Sequence, residues 1–193
     1  MKPNSTLSFV AGIRRFGPLL GAAVLLAACS SAPVPPTPPP STPSTPPPAS
    51  CPDSGVAITG GDVSAAMGLR ALGIYLSNCG TSDYAVHGYP VVRVLDADRR
   101  PLDIAVSNGS APVSAPDSWD TPPEPITLRP GERVMARILW RNTVTDATVV
   151  ATEGHYLEIA PAAGEPAQIV EPDGVIDLGN TGRLAVNAWT VRP

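Results

Sequence analysis

Chemistry in a chain of this kind needs a nucleophile, a base and a group that orients them. After residue 28 the chain holds two histidines, His87 and His155, and no lysine, because the only lysine is Lys2. A Schiff-base mechanism is therefore excluded from that part. No Gly-x-Ser-x-Gly elbow, phosphate loop or dinucleotide fingerprint is present. His87 lies one residue before Gly88-Tyr89-Pro90, and His155 opens a strand beside Tyr156. Both read as strand-end surface residues. The Asp96-Ala97-Asp98 run lacks the glycine and distal glutamate of a calcium loop and reads as a solvated turn. Glu153, Glu158, Glu165 and Glu171 are scattered, with no motif to place two of them in one cleft. No metal site, cofactor or catalytic residue is expected, and the chain reads as a non-enzyme.

The three cysteines are more informative. Lys2, Arg14 and Arg15 precede a thirteen-residue apolar run from Phe16 to Ala28, which ends in Leu26-Ala27-Ala28-Cys29. A basic segment followed by a short apolar one is an export signal; spanning a bilayer takes about 20 apolar residues. The final four residues resemble a bacterial lipobox. That resemblance implies acylation of the Cys29 sulfur and cleavage before it, leaving the protein anchored on the outer face of the cell membrane. Arg14-Arg15 leaves twin-arginine export open beside the general route. With Cys29 used in this way, Cys51 and Cys79 remain as an even pair. An exported domain can keep them oxidised as a disulfide; free thiols and a metal site are the alternatives.

The chain has 25 prolines, and their distribution divides it in three. Residues 1–28 are the signal peptide. Residues 29–50 contain ten prolines, no charge and no aromatic residue, so they form a lipid-anchored, disordered, proline-rich linker. In polyproline II its proline-rich stretch would reach roughly 65 Å. Residues 51–193 are the folded domain. From residue 29 onward ten arginines face seventeen acids, a net charge of −7 that argues against a nucleic-acid partner.

The domain shows short alternating runs bounded by turn residues and no sustained helical period. Leu69 to Leu76 alternates. Val91 to Leu95 followed by Leu102 to Val106 suggests a hairpin across the Asp96–Arg100 turn. Glu132 to Arg141 reads as the longest strand, with Val134, Ala136, Ile138 and Trp140 on one face. Tyr156 to Ile159, Val175 to Leu178 and Leu184 to Val191 follow. Seven to nine strands imply an all-β antiparallel sandwich of immunoglobulin type. The segment from Ser107 to Pro125 holds five prolines and Trp119. A loop this long is often either functional or disordered. Trp119 is the candidate partner contact, unless it folds back to pin the loop; Trp140 reads as core and Trp189 as core or rim.

Asn78-Cys79-Gly80, Gly88-Tyr89-Pro90 before a strand, Leu128-Arg129-Pro130-Gly131, the strand with Trp140, and Leu157 through Pro161 resemble the domain of unknown function (DUF) 4232 family. The likeness covers most of residues 51–161. Many members carry a cysteine shortly before Gly-Tyr-Pro, where this chain has Tyr84. The resemblance implies an immunoglobulin-like sandwich on an exported, often lipid-anchored, actinobacterial protein, and no activity. The expectation is a monomeric cell-envelope lipoprotein whose tethered domain binds an envelope protein, glycan or lipid without catalysis. An envelope hydrolase using carboxylates and histidine, or a purely structural spacer, are the other classes.

Overall fold

The structure is a computed structural model and describes residues 51–191. The expected signal peptide, the expected lipidation site Cys29 and the expected proline-rich linker lie outside the described residues. Twelve strands occur among those described. In chain order they are β1 (Val56–Ala66), β2 (Leu69–Asn78), β3 (Tyr84–Val86), β4 (Val91–Leu95), β5 (Ala105–Asn108) and β6 (Ile126–Leu128). Then come β7 (Arg133–Arg141), β8 (Glu153–Gly154), β9 (Tyr156–Ala160), β10 (Gln168–Val170), β11 (Ile176–Asp177) and β12 (Arg183–Val186).

They build the expected all-β sandwich. One sheet has the order β1-β2-β7-β12-β5 and the other β10-β9-β4; β3–β6 and β11–β8 are two-stranded pairs. Alternation in β2 and β7 explains the core. Leu72, Ile74 and Leu76 share a buried face with Val134, Ala136, Ile138 and Trp140 across the register Leu72↔Ile138, Ile74↔Ala136 and Leu76↔Val134. Val92, Val94, Leu157 and Ile159 of the second sheet complete the same cluster. Trp140 and Trp189 are both buried, and the indole N–H of Trp189 donates to the Pro161 carbonyl at 2.7 Å. Gln168 joins the two sheets at one edge by imitating a strand partner. Its Oε1 accepts from the Ile58 N–H and its Nε2 donates to the Val56 carbonyl, both at 3.0 Å.

Cys51 and Cys79 form a disulfide, with their Cα atoms 5.6 Å apart. It fastens the segment entering β1 to the residue that follows β2. The backbone N–H groups of Cys79 and Gly80 both donate to the Gly55 carbonyl, at 3.0 and 2.9 Å.

Three expectations change. The longest strand is β1, at 11 residues, not the one ending at Arg141. Gly60, Gly61 and the small residues near its end hide its alternation. Secondly, the return arm after the Asp96 turn is brief. Leu102 N–H donates to the Val94 carbonyl at 2.9 Å, and then the chain crosses to the first sheet. There β5 runs parallel to β12 instead of forming a hairpin with β4. Thirdly, β3, β8 and β10 add short strands that periodicity over two or three residues cannot reveal.

Candidate functional site

The outer face of the five-stranded sheet carries the candidate site, and β7 explains why. Its outward residues include Met135, Arg137, Leu139 and Arg141. Arg137 and Arg141 draw the segment after β5 down onto the sheet. Arg141 Nε donates to the Val113 carbonyl at 2.9 Å, and Arg137 Nη2 donates to both Asp117 oxygens at 2.8 and 2.7 Å. Arg137 Nε also donates to Asn187 Oδ1 at 3.2 Å. Outward-facing Leu139 and Ala185 are buried, although that face of the sheet is away from the core. The proline-rich segment is therefore a cover and not a solvated excursion.

Asp120 locks the cover. Its Oδ1 accepts from the Ser110 N–H at 2.7 Å and from Asn187 Nδ2 at 2.9 Å, while Oδ2 accepts from the Asp117 N–H at 2.9 Å. Partial burial pushes this carboxyl up. The hydrogen bonds from Asp117 and Ser110, with the nearby Arg137 charge, outweigh burial and hold it below the usual carboxylate range.

Trp119 is half-buried in this arrangement, with the Arg137 guanidinium 4.9 Å from its ring centroid. It stands between two depressions. One, of about 230 Å³, is shared with Tyr89, Pro116 and Asp120. The other is a groove of about 410 Å³ along the sheet, lined by Asp62, Ser64, Gly73, Tyr75, Trp119 and Arg137 among others. A bulge shapes this groove. The β1–β2 register passes from Gly60↔Ile74 to Val63↔Leu72, so one extra residue is inserted in β1. A Cβ on Gly60 would meet Val170, and Val63 packs on the core. Gly61 and Asp62 between them both line the groove. Bare glycine leaves the floor open: a Cβ at Gly73 would meet the Met135 methyl at 2.8 Å, and one at Gly61 the Tyr75 ring at 3.3 Å. Arg133 lies 5.1 Å from the Tyr75 ring centroid.

The arrangement therefore offers two aromatic side chains, a low floor, one acid and one partly engaged arginine. It can stack and hydrogen-bond a ligand. Sequence reasoning singled out Trp119 but missed Tyr75, Asp62 and Arg137. The alternation of β2 placed Tyr75 on the outer face, and only the path of the cover showed what that face would meet.

The remaining sequence candidates lie elsewhere. His87 is exposed after β3, and half-buried His155 precedes β9, its backbone N–H bonded to the Leu95 carbonyl at 2.8 Å. Asp96 and Asp98 form ion pairs with Arg100. The backbone N–H of Arg100 is the main cause holding the Asp96 carboxyl below its ordinary range. Glu158 pairs with Arg93. Among the described residues, no group of three or more His, Cys, Asp or Glu side chains is arranged to hold a metal ion.

A family model described as a domain of unknown function (DUF4232) matches residues 51–193. No curated protein matches the chain. Among solved structures, β-glucosidase from Kluyveromyces marxianus is similar in two crystal structures, one in complex with glucose and one selenomethionine-labelled. Each match has 12% sequence identity and a TM-score of 0.30, and covers 63% of this chain and 14% of the β-glucosidase chain.

Proposed function

We propose that this chain, which belongs to the DUF4232 family of domains of unknown function, is a cell-envelope lipoprotein displaying a non-catalytic binding module. Export and anchoring rest on the signal-like segment ending at Cys29. Each buried methylene of an acyl chain contributes about 0.8 kcal/mol, and more than one chain is needed for stable anchoring. Replacing Cys29→Ser should move the protein from the membrane fraction to the soluble one. Fractionation and immunoblotting check this, and a variant still sedimenting with membranes would contradict the anchor.

The observation carrying the binding reading is the groove between Tyr75 and Trp119. Trp, Tyr and Arg are the residue types that dominate binding energy at recognition surfaces. A glycan suits this groove best. A sugar ring presents an apolar C–H face to an aromatic ring and hydroxyls to groups such as Asp62, Ser64 and Arg137. The test is retention of the full chain on arrayed envelope glycans. Tyr75→Ala should weaken retention about tenfold or more, a loss of about 1.4 kcal/mol or greater, with little change in melting temperature. Trp119→Ala should also lose binding and melt a few degrees lower, because its ring packs under Arg137. Retention of Tyr75→Ala equal to wild type, or no glycan retained at all, would remove this reading.

A further inference from the structure

We propose that a phosphoryl group binds between Arg141 and Arg183, at the end of the sandwich remote from Cys51. This site does not rest on the Tyr75–Trp119 groove. Strands β7 and β12 are antiparallel with Leu184 opposite Trp140 and Ala185 opposite Leu139. Continuing that register by one residue sets Arg183 directly across from Arg141. Side chains so placed have Cβ atoms about 5 Å apart, and like charges there repel.

The domain has acids to spare, and four other arginines take one, while Arg99 and Arg133 lie over tyrosine rings and Arg129 has no ion pair among the described residues. Arg70, Arg93, Arg100 and Arg137 each form an ion pair with a carboxylate. Among the described residues, neither Arg141 nor Arg183 has one. The two share a cavity of about 410 Å³ with Thr145, Asn180 and Thr181, and no carboxylate lines it. Two guanidinium groups in a carboxylate-free cavity call for an anion from outside. A phosphoryl group carries about −1.5 to −2 at neutral pH, which matches the two positive charges.

The walls are held in place before any ligand arrives. Asn180 Oδ1 accepts from the Thr145 N–H at 2.8 Å and from its hydroxyl at 3.2 Å. Its Nδ2 donates to the Asp146 and Val149 carbonyls. Arg141 is aimed by Nε on the Val113 carbonyl and by Nη1 on the Met67 carbonyl at 3.5 Å. Leu69 of β2 pairs with Arg141, whereas Cys79 follows the last residue of that strand. Ten residues of strand put the cavity roughly 30 Å from the disulfide. The site is therefore at the far end of the domain from the segment that enters it.

The phosphoryl group can come from soluble phosphate or from an anionic phospholipid headgroup. The test uses the full chain and its Arg183→Gln variant, with Arg129→Gln as a control for the same charge change elsewhere. Melting is compared in sodium phosphate and sodium chloride at equal ionic strength. Phosphate stabilises most folded proteins by exclusion from their surface, so the difference between variants is the readout. At phosphate near tenfold its dissociation constant, wild type and Arg129→Gln should gain about 4 °C more than Arg183→Gln. In chloride alone, Arg183→Gln should melt no lower than wild type, since a repulsion is removed. Equal gains in all three proteins would overturn the site. Co-flotation with phosphatidylglycerol–phosphatidylcholine vesicles, in a Cys29→Ser background that removes the acyl anchor from every variant, then separates the sources. A roughly tenfold loss on Arg183→Gln identifies a headgroup, and equal flotation alongside the phosphate difference identifies soluble phosphate.

Discussion

Replacing Asp177→Ala should destabilise the domain by about 3 kcal/mol, measured by urea unfolding at neutral pH. Asp177 lies in β11, where three groups converge on its carboxylate. The indole N–H of Trp140 donates to Oδ1 at 2.9 Å. Arg70 donates to Oδ2 from Nε at 3.1 Å and from Nη2 at 2.8 Å, and Asn142 Nδ2 donates to the same oxygen. Trp140 is fully buried, so alanine at 177 leaves its N–H without its protein acceptor. The Arg70 charge loses its partner in the same step. The figure sits at the low end of the 3–5 kcal/mol typical of a broken buried pair, because the Asp177 side chain is 26% exposed. Asp177→Asn should fall between the two proteins, since its amide oxygen can still accept from Trp140 while the charge is gone. A loss below about 1 kcal/mol for the alanine variant would show that this hub is not structural.

The same group gives a pH dependence of definite sign. Partial burial pushes the Asp177 carboxyl up, but the hydrogen bonds from Trp140, Arg70 and Asn142 outweigh it and hold it below the ordinary value. A carboxyl depressed on folding contributes stability that is full above its unfolded value of about 3.9, and that contribution is lost as pH falls through the lower folded value. Wild type should therefore lose more stability on acidification below about pH 4 than Asp177→Asn does.

Breaking the Cys51–Cys79 bond should cost about 3.5 kcal/mol in the chain-entropy view, and lower the melting temperature by about 10–15 °C. The sequence separation of 28 encloses all of β1 and β2. Within the first sheet β1 is an edge strand with one strand partner, β2. With the bond cut, the Gly55 carbonyl and the two N–H groups it accepts have no covalent brace, and the start of β1 is free to fray. Melting with and without reductant measures the effect, and the Cys51→Ser, Cys79→Ser double variant should match the reduced protein. A reduced protein melting with the oxidised one would show that backbone pairing alone holds this corner.

Much of the architecture is written in local side-chain patterns. Alternation marked β2 and β7 and put Trp140 inside, since a strand needs only its own residues to present one apolar face. The cysteine count left a pair that the fold joins. What the pattern could not carry was the choice of partners. β1 was missed because glycine and alanine do not alternate visibly, yet β2 supplies the backbone partner that makes it a strand. The stretch after Asp96 looks like a hairpin arm from its own residues, but it crosses to β12 because its better partner lies some 80 positions later in the chain.

The candidate sites divide in the same way. Residue type alone made Trp119 noticeable. That Arg137, Asp117, Asp120 and Asn187 hold its loop against the sheet depends on four positions spread over 70 residues. The facing of Arg141 and Arg183 likewise needs the β7–β12 register, which no window on the chain contains. Which residues seek burial is legible along the chain, because hydrophobicity and strand period are local properties. Which charges are neutralised and which aromatics border open space emerges on folding, because those energies arise between residues distant in the chain.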